Sequence, residues 1–175
     1  GENWVFAHNG NLKNLPDMSN YFLQPIGSTD SEAAFCYLAE YLKNTYRQKP
    51  SEMEIFEAIQ KVTKELAQHG TFNFILSNGE WMIAHCSTNL HYLMRKAPFG
   101  KAHRIDDDGV IDFSDYAKEG DKVNIITTFP LTKDETWTKM ENGGFVFFKN
   151  GDKIAEVIGT PKAAIDDGTL GNRTI

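Results

Sequence analysis

The sequence has little of what builds a disulfide framework, a metal centre or a membrane span. Its two cysteines, Cys36 and Cys86, fall in a helical and a strand pattern, make no Cys-x-x-Cys pair, and read as reduced core residues. The five histidines include no pair at zinc spacing: His85 and His91 flank a Ser-Thr-Asn loop, and His8, His69 and His103 stand apart. No metal or other cofactor is expected. No apolar run approaches the roughly 18 to 20 residues of a spanning helix. The opening Gly-Glu-Asn-Trp lacks the charged and apolar regions of a secretory leader, so the expectation is a cytoplasmic protein. Positive charge is scarce too: 18 Lys and Arg against 24 Asp and Glu leave a net charge of -6. That offers no basic field to nucleic acid or to an anionic membrane. What is there, 41% hydrophobic and 24% charged residues over 175, suits a globular chain with one core and small-molecule chemistry.

Two periods organise the chain. Thr29 and Glu32 have the spacing of a capping box ahead of a helical pattern over 29–47, with Ala34, Phe35, Leu38 and Leu42 on one face. Pro50 breaks it. Ser51 and Glu54 form a second box, and Ile55, Phe56, Ile59, Val62 and Leu66 make one apolar stripe that ends at Gly70. The period then becomes two. Phe72, Phe74 and Leu76 alternate with smaller or polar residues, Asn78-Gly79 supplies a turn, and 81–86 returns as the partner strand. Further strands are expected over 91–95, 102–105, 123–128, 144–149 and 153–158, the last two joined at Asn150-Gly151. Tyr21-Phe22-Leu23 reads as a brief strand. Two helices followed by a run of strands predict an α+β fold with antiparallel pairing. One domain over 1–158 is expected, with 159–175 an extended or poorly ordered tail.

The chemistry-bearing stretch is Trp4-Val5-Phe6-Ala7-His8-Asn9-Gly10-Asn11-Leu12. It reads as a buried strand that ends at an Asn-Gly step, delivering one side-chain amide and one unhindered backbone N–H to a fixed point. Such donors make an oxyanion hole, because glycine lets a peptide plane approach a carbonyl with no Cβ in the way. The commoner reading of Asn-Gly is a hairpin turn. Asp30 falls at the first helical position, beside unsatisfied N–H groups, and should stay ionised. It would either complement the helix dipole or hold an ammonium group such as the α-amino group of an amino acid.

Ala7-His8-Asn9-Gly10-Asn11-Leu12 followed by Gly27-Ser28-Thr29-Asp30-Ser31-Glu32 resembles the glutamine-binding half of class-II glutamine amidotransferases, enzymes with an N-terminal nucleophile. Phe72 to Gly79, Cys86 to His91, Arg95 to Gly100, and Pro130 to Thr132 with Glu135 to Trp137 resemble the small stand-alone YafJ-like subgroup. The resemblance runs from residue 1 to about 149. It implies a four-layer αββα sandwich of the N-terminal-nucleophile hydrolase type and cleavage of a γ-glutamyl amide through a cysteinyl thioester. By the same resemblance Asn9 and Gly10 are the catalytic oxyanion donors and Asp30 binds the substrate. In that family the nucleophilic cysteine and a carboxylate-gripping arginine lie upstream of the segment present here. The expectation is therefore a chain incomplete at its N-terminus and inactive alone. Expected partners are glutamine or a γ-glutamyl compound, the upstream segment of the same protein, and a second copy in a homodimer. Two alternatives stay open: a γ-glutamyl peptide hydrolase of the same fold, and a non-catalytic module that senses glutamine.

Several other motifs carry less. Asp106-Asp107-Asp108-Gly109 reads as an acidic turn, since aligning Gly109 with a calcium loop puts Arg104 where the first carboxylate belongs. His85 and Cys86 are neighbours on a strand, so they point to opposite faces and cannot pair as base and nucleophile. Ser87-Thr88-Asn89 either closes a turn or lines a pocket. His91 and Arg95 read as the solvated side of a strand in preference to a polar face for an acceptor substrate, and Trp137 as a packing residue in preference to a cap on the pocket. Asn172-Arg173-Thr174 matches a glycosylation acceptor that a cytoplasmic protein would not use.

Overall fold

The computed structural model describes residues 3–160, apart from the side chain of Asp115. In chain order the elements are β1 (Val5–Leu12), α1 (Asp30–Thr45), α2 (Glu52–Leu66), β2 (Gly70–Ser77), β3 (Trp81–Cys86), β4 (Leu90–Lys96) and β5 (Lys101–His103). There follow β6 (Val110–Asp112), β7 (Lys122–Thr127), β8 (Thr138–Met140), β9 (Gly144–Lys149) and β10 (Asp152–Val157).

Both helices start where their caps put them. Thr29 accepts the Glu32 N–H through its side chain at 3.2 Å. Glu32 does not complete the expected box: its carboxylate accepts the Ile26 and Gly27 N–H groups, each at 2.8 Å, and fastens the incoming loop instead. In α2 the box is complete between Ser51 and Glu54.

The main sheet is five-stranded and antiparallel, in the order β1-β2-β3-β9-β10. Both of its faces are covered. Phe145, Phe147, Ile83 and Leu76 pack with Leu38, Phe56, Ile59 and Leu66 of the helices, while the alternate residues Val146, Phe148, Ala84 and Ile75 pack on Leu90, Tyr92 and Met140 of a second sheet. Its central strands are therefore apolar at successive positions, as two-sided burial demands. The second sheet is three-stranded, β7-β4-β8, and β5 and β6 form a separate hairpin. The fold is an α+β sandwich, and three layers (helices, sheet, sheet) lie among the described residues.

Tyr21-Phe22-Leu23 is not a strand: Tyr21 packs against Tyr37, with ring centroids 5.7 Å apart, and Phe22 lies exposed under the Lys43 ammonium. β6 and β8 are too short, at three residues each, for their period to be legible. The largest departure is β1. It runs through Asn9-Gly10 to Leu12, paired with β2 along its whole length, and among the described residues it is an edge strand with Val5 68% exposed rather than a buried one. Gly10 serves close approach here, not turning: a Cβ on it would lie 1.9 Å from the Thr71 carbonyl oxygen. Residues 161–175, with most of the expected tail and Asn172-Arg173-Thr174, lie outside the described residues.

Candidate functional site

The sequence-expected residues are placed along β1, whose outer edge is unpaired by any strand among the described residues. The Lys13 N–H donates to the His69 carbonyl in the β1–β2 register. In an antiparallel ladder alternate residues bond the partner strand, so the N–H groups of Gly10 and Leu12 turn to the open edge. The Leu12 N–H is taken there by Asp30 Oδ2 at 2.8 Å.

Side chains alternate about this edge. Phe6 and His8 face the helices: Phe6 stacks on Phe35, and His8 bridges Ser31 Oγ and the Thr71 carbonyl, each at 3.0 Å. A carbonyl only accepts, so Nε2 donates to Thr71. Asn9 faces the second sheet, where its Nδ2 donates to Thr128 Oγ1 at 3.2 Å. Beside it a cavity of about 170 Å³ is lined by Asn9, Asn73, Leu90, Ile126 and Thr128. That is below the roughly 300 Å³ at which small-molecule pockets begin.

Asp30 sits at the start of α1, its side chain 31% exposed. Oδ2 accepts from Leu12 and Oδ1 from the Ser31 N–H at 2.8 Å. The Leu12 N–H chiefly holds this carboxyl below its ordinary 3.8. The aspartate therefore does more than complement a helix dipole: it ties α1 to β1.

Asn73 was not singled out by sequence. It is 5% exposed, opposite Asn9 in the ladder, and its Nδ2 donates to the Asn9 carbonyl at 3.0 Å and to Thr88 Oγ1 at 2.8 Å. Its Oδ1 accepts the N–H groups of Ser87 and Thr88 at 2.9 and 3.1 Å. Ser87 and Thr88 thus close a turn around Asn73, and Asn89 donates to the Thr128 carbonyl at 2.7 Å. A lone amide between Phe72 and Phe74 was the available signal.

The cysteines stand apart from this edge. Cys36 lies in α1, its thiol pushed up by burial and then by Glu32, and burial likewise raises Cys86, whose Sγ faces the Met140 carbonyl. Neither has the electropositive setting that makes a thiolate. His85 packs with the helix-side aromatics Phe72, Phe74 and Phe145 while Cys86 lies between the sheets, as their alternation requires.

One expectation needs correcting. Arg95 and His91 are not a solvated face: Arg95 makes a bidentate pair with Glu135 at 2.6 and 2.5 Å and stacks on Phe113, and His91 Nδ1 meets the Thr128 carbonyl at 3.0 Å. Trp137 donates to Thr132 Oγ1 and lines a separate cavity of about 370 Å³ with Arg95 and Phe113. The acidic turn before Gly109 is held by Arg104, which pairs with Asp106 at 3.0 Å and Asp107 at 3.4 Å. Among the described residues no group of three His, Cys, Asp or Glu side chains could hold a metal ion, and no helix is long and apolar enough to cross a membrane.

The family model described as class-II glutamine amidotransferases matches residues 1–167. The chain is 91% identical over 175 residues to a Haemophilus influenzae protein named "Putative glutamine amidotransferase", covering all of this chain and 60% of that one. It is 43% identical over 155 residues to the Escherichia coli "Putative glutamine amidotransferase YafJ", covering 88% of this chain and 61% of the relative. A crystal structure of a predicted glutamine amidotransferase from Pseudomonas aeruginosa superposes with a TM-score of 0.79 at 35% identity, over 89% of this chain and 61% of that one. The chain thus spans about three-fifths of the length of each.

Proposed function

The chain belongs to the class-II glutamine amidotransferase family, and from that premise we propose that it carries the glutamine-binding and oxyanion part of an enzyme that hydrolyses the γ-amide of glutamine. The observation behind this reading is that the Asn9 amide, the outward Gly10 N–H and the ionised Asp30 carboxylate, which is bonded to Leu12, all lie along residues 9–12 of β1.

In the proposed reaction a cysteine at the N-terminus of an upstream segment attacks the side-chain amide carbon, and its own α-amino group takes the thiol proton. Asn9 Nδ2 and the Gly10 N–H stabilise the oxygen as it becomes negative, which such donors do best when held in place beforehand. Asn73 holds the Asn9 carbonyl and so limits how far that donor can swing. Asp30 keeps free lone pairs for the substrate α-ammonium group beyond those given to Leu12 and Ser31. The tetrahedral intermediate collapses with the proton delivered to the departing ammonia, leaving a glutamyl thioester. Water then cleaves it to glutamate and regenerates the thiol. No histidine base is needed.

The test is ammonia release from glutamine by the purified chain, alone and with the upstream piece beginning at its cysteine. Release only with that piece is expected. Steady release by the chain alone, abolished by Cys36→Ser or Cys86→Ser, would overturn the N-terminal-nucleophile mechanism. Running γ-glutamyl dipeptides beside glutamine separates an amidotransferase from a γ-glutamyl peptide hydrolase.

A further inference from the structure

A cavity of about 560 Å³ opens where the end of α2 meets the ends of β2, β3 and β9, lined by Thr63, Lys64, Thr71, His85, Ser87 and Phe145 among others. Its size is that of a small-molecule pocket. Two of its lining groups are anomalous. His85 Nε2 and Thr63 Oγ1 are buried, on residues 3% and 1% exposed, and neither has a hydrogen-bond partner among the described residues. Buried polar atoms are nearly always paired, because leaving one unsatisfied forfeits its hydration with no return. Here two belong to residues that line one cavity.

The state of His85 is decided by its other nitrogen. Nδ1 lies 3.1 Å from the Gly144 carbonyl, which only accepts, so Nδ1 carries the proton of the neutral ring and Nε2 is a bare acceptor. Phe145 stacks on the ring, with centroids 4.3 Å apart, and Phe74 lies against it at 5.5 Å, so it cannot turn toward another partner without unpacking. Burial also pushes its pKa down to about 4. A group satisfying Nε2 must therefore bring its own N–H or O–H. Thr63 can donate its hydroxyl to an anionic oxygen, and among the described residues the one formal charge on the lining is the Lys64 ammonium and no carboxylate lines the cavity.

We propose that this cavity binds a small amino or hydroxy carboxylate, with the ligand's amino or hydroxyl group donating to His85 Nε2 and its carboxylate held by Thr63 Oγ1 and Lys64. The site is distinct from the β1 edge and does not depend on the glutaminase reading. The two are nonetheless joined, since Ser87 and Thr88 line the cavity and both bond Asn73, which grips the Asn9 carbonyl.

The test uses ¹⁵N-histidine-labelled chain and follows the His85 ring nitrogens by NMR while glycine or L-lactate is added, with acetate and ethanolamine as controls. Glycine alone, or lactate alone, would identify the donor as amine or hydroxyl. The expected result is a saturable shift of His85 Nε2 with glycine or lactate. The controls should bind at least tenfold more weakly, since each lacks one of the two groups. Thr63→Val, which keeps the side-chain volume and removes the hydroxyl, should weaken binding about tenfold while leaving the other histidine signals in place. His85→Gln serves as a second variant, read by calorimetry. An Nε2 signal already hydrogen-bonded before any addition and unmoved by all four compounds would mean bound water or the chain's own atoms fill the cavity, and would overturn the proposal. Equal binding of acetate and glycine would overturn the role given to His85.

Discussion

The Asp30 carboxylate accepts the Leu12 backbone N–H at 2.8 Å, so the first residue of α1 closes part of the open edge of β1. Asp30→Asn should therefore leave the fold intact, because asparagine still accepts through one oxygen and suits a helix start. In the protein with its upstream segment the KM for glutamine should rise roughly 10- to 100-fold, the equivalent of about 1.5 to 3 kcal/mol for a charge-assisted bond. An unchanged KM in steady-state kinetics would leave Asp30 as a purely structural tie.

Its low pKa has a stability consequence. A carboxyl whose folded value lies below its unfolded one contributes stability above the unfolded pKa and loses it as pH falls through the folded value. Wild type should thus lose stability below about pH 4 more steeply than Asp30→Asn, measured as urea midpoints between pH 5 and pH 3.

Asn9→Ala should act on turnover. The lost donor strengthens only as the carbonyl becomes an oxyanion, so kcat should fall by roughly 10² to 10³ with KM nearly constant. Weak glutamine binding with normal turnover would instead make the bond to Thr128 the residue's whole role.

Gly10→Ala should fail at the level of folding. Its Cβ would meet Thr71 O at 1.9 Å, Thr71 C at 2.6 Å and His8 Nε2 at 2.7 Å, and two of these atoms are backbone of the paired strand. A loss of about 3 kcal/mol or more is expected, in the range of severe substitutions. Thermal melting of the chain checks it; a Tm within a degree or two of wild type would show that β1 can lift off β2 freely.

His85 titrates in the opposite sense from a surface histidine. Its folded pKa, about 4 against an ordinary 6.5, means the unfolded chain binds the extra proton between those values. Its contribution to stability is complete above about pH 6.5 and is lost as pH falls toward 4. His85→Phe should be less stable at pH 7, because Gly144 loses its donor, yet should show a flatter decline from pH 7 to 5. Chemical denaturation at the two pH values reads the difference.

Local pattern and local chemistry determined much of this protein from sequence alone. The two helices follow from caps and apolar stripes, both confined to a few turns of chain. The β2–β3 hairpin and the β9–β10 pair at Asn150-Gly151 follow from period two and turn residues, and the opposite facing of His85 and Cys86 from alternation. Asn9, Gly10 and Asp30 were singled out by their own chemistry and a family resemblance, and the roles given to them are proposals.

Tertiary structure decided what depends on the far partner. Whether Asn9-Gly10 turns or continues a strand is settled by β2, which lies some sixty residues away and presses its Thr71 carbonyl where a side chain would be. Whether Glu32 completes a cap or fastens a loop depends on where Ile26 and Gly27 pass. Whether Arg95 is solvated depends on Glu135 and Phe113 arriving from other segments. Asn73 and the His85 nitrogen that has no partner among the described residues belong to the same class: the cost of burying a polar group is set by what surrounds it in space, and one-dimensional order does not encode those neighbours.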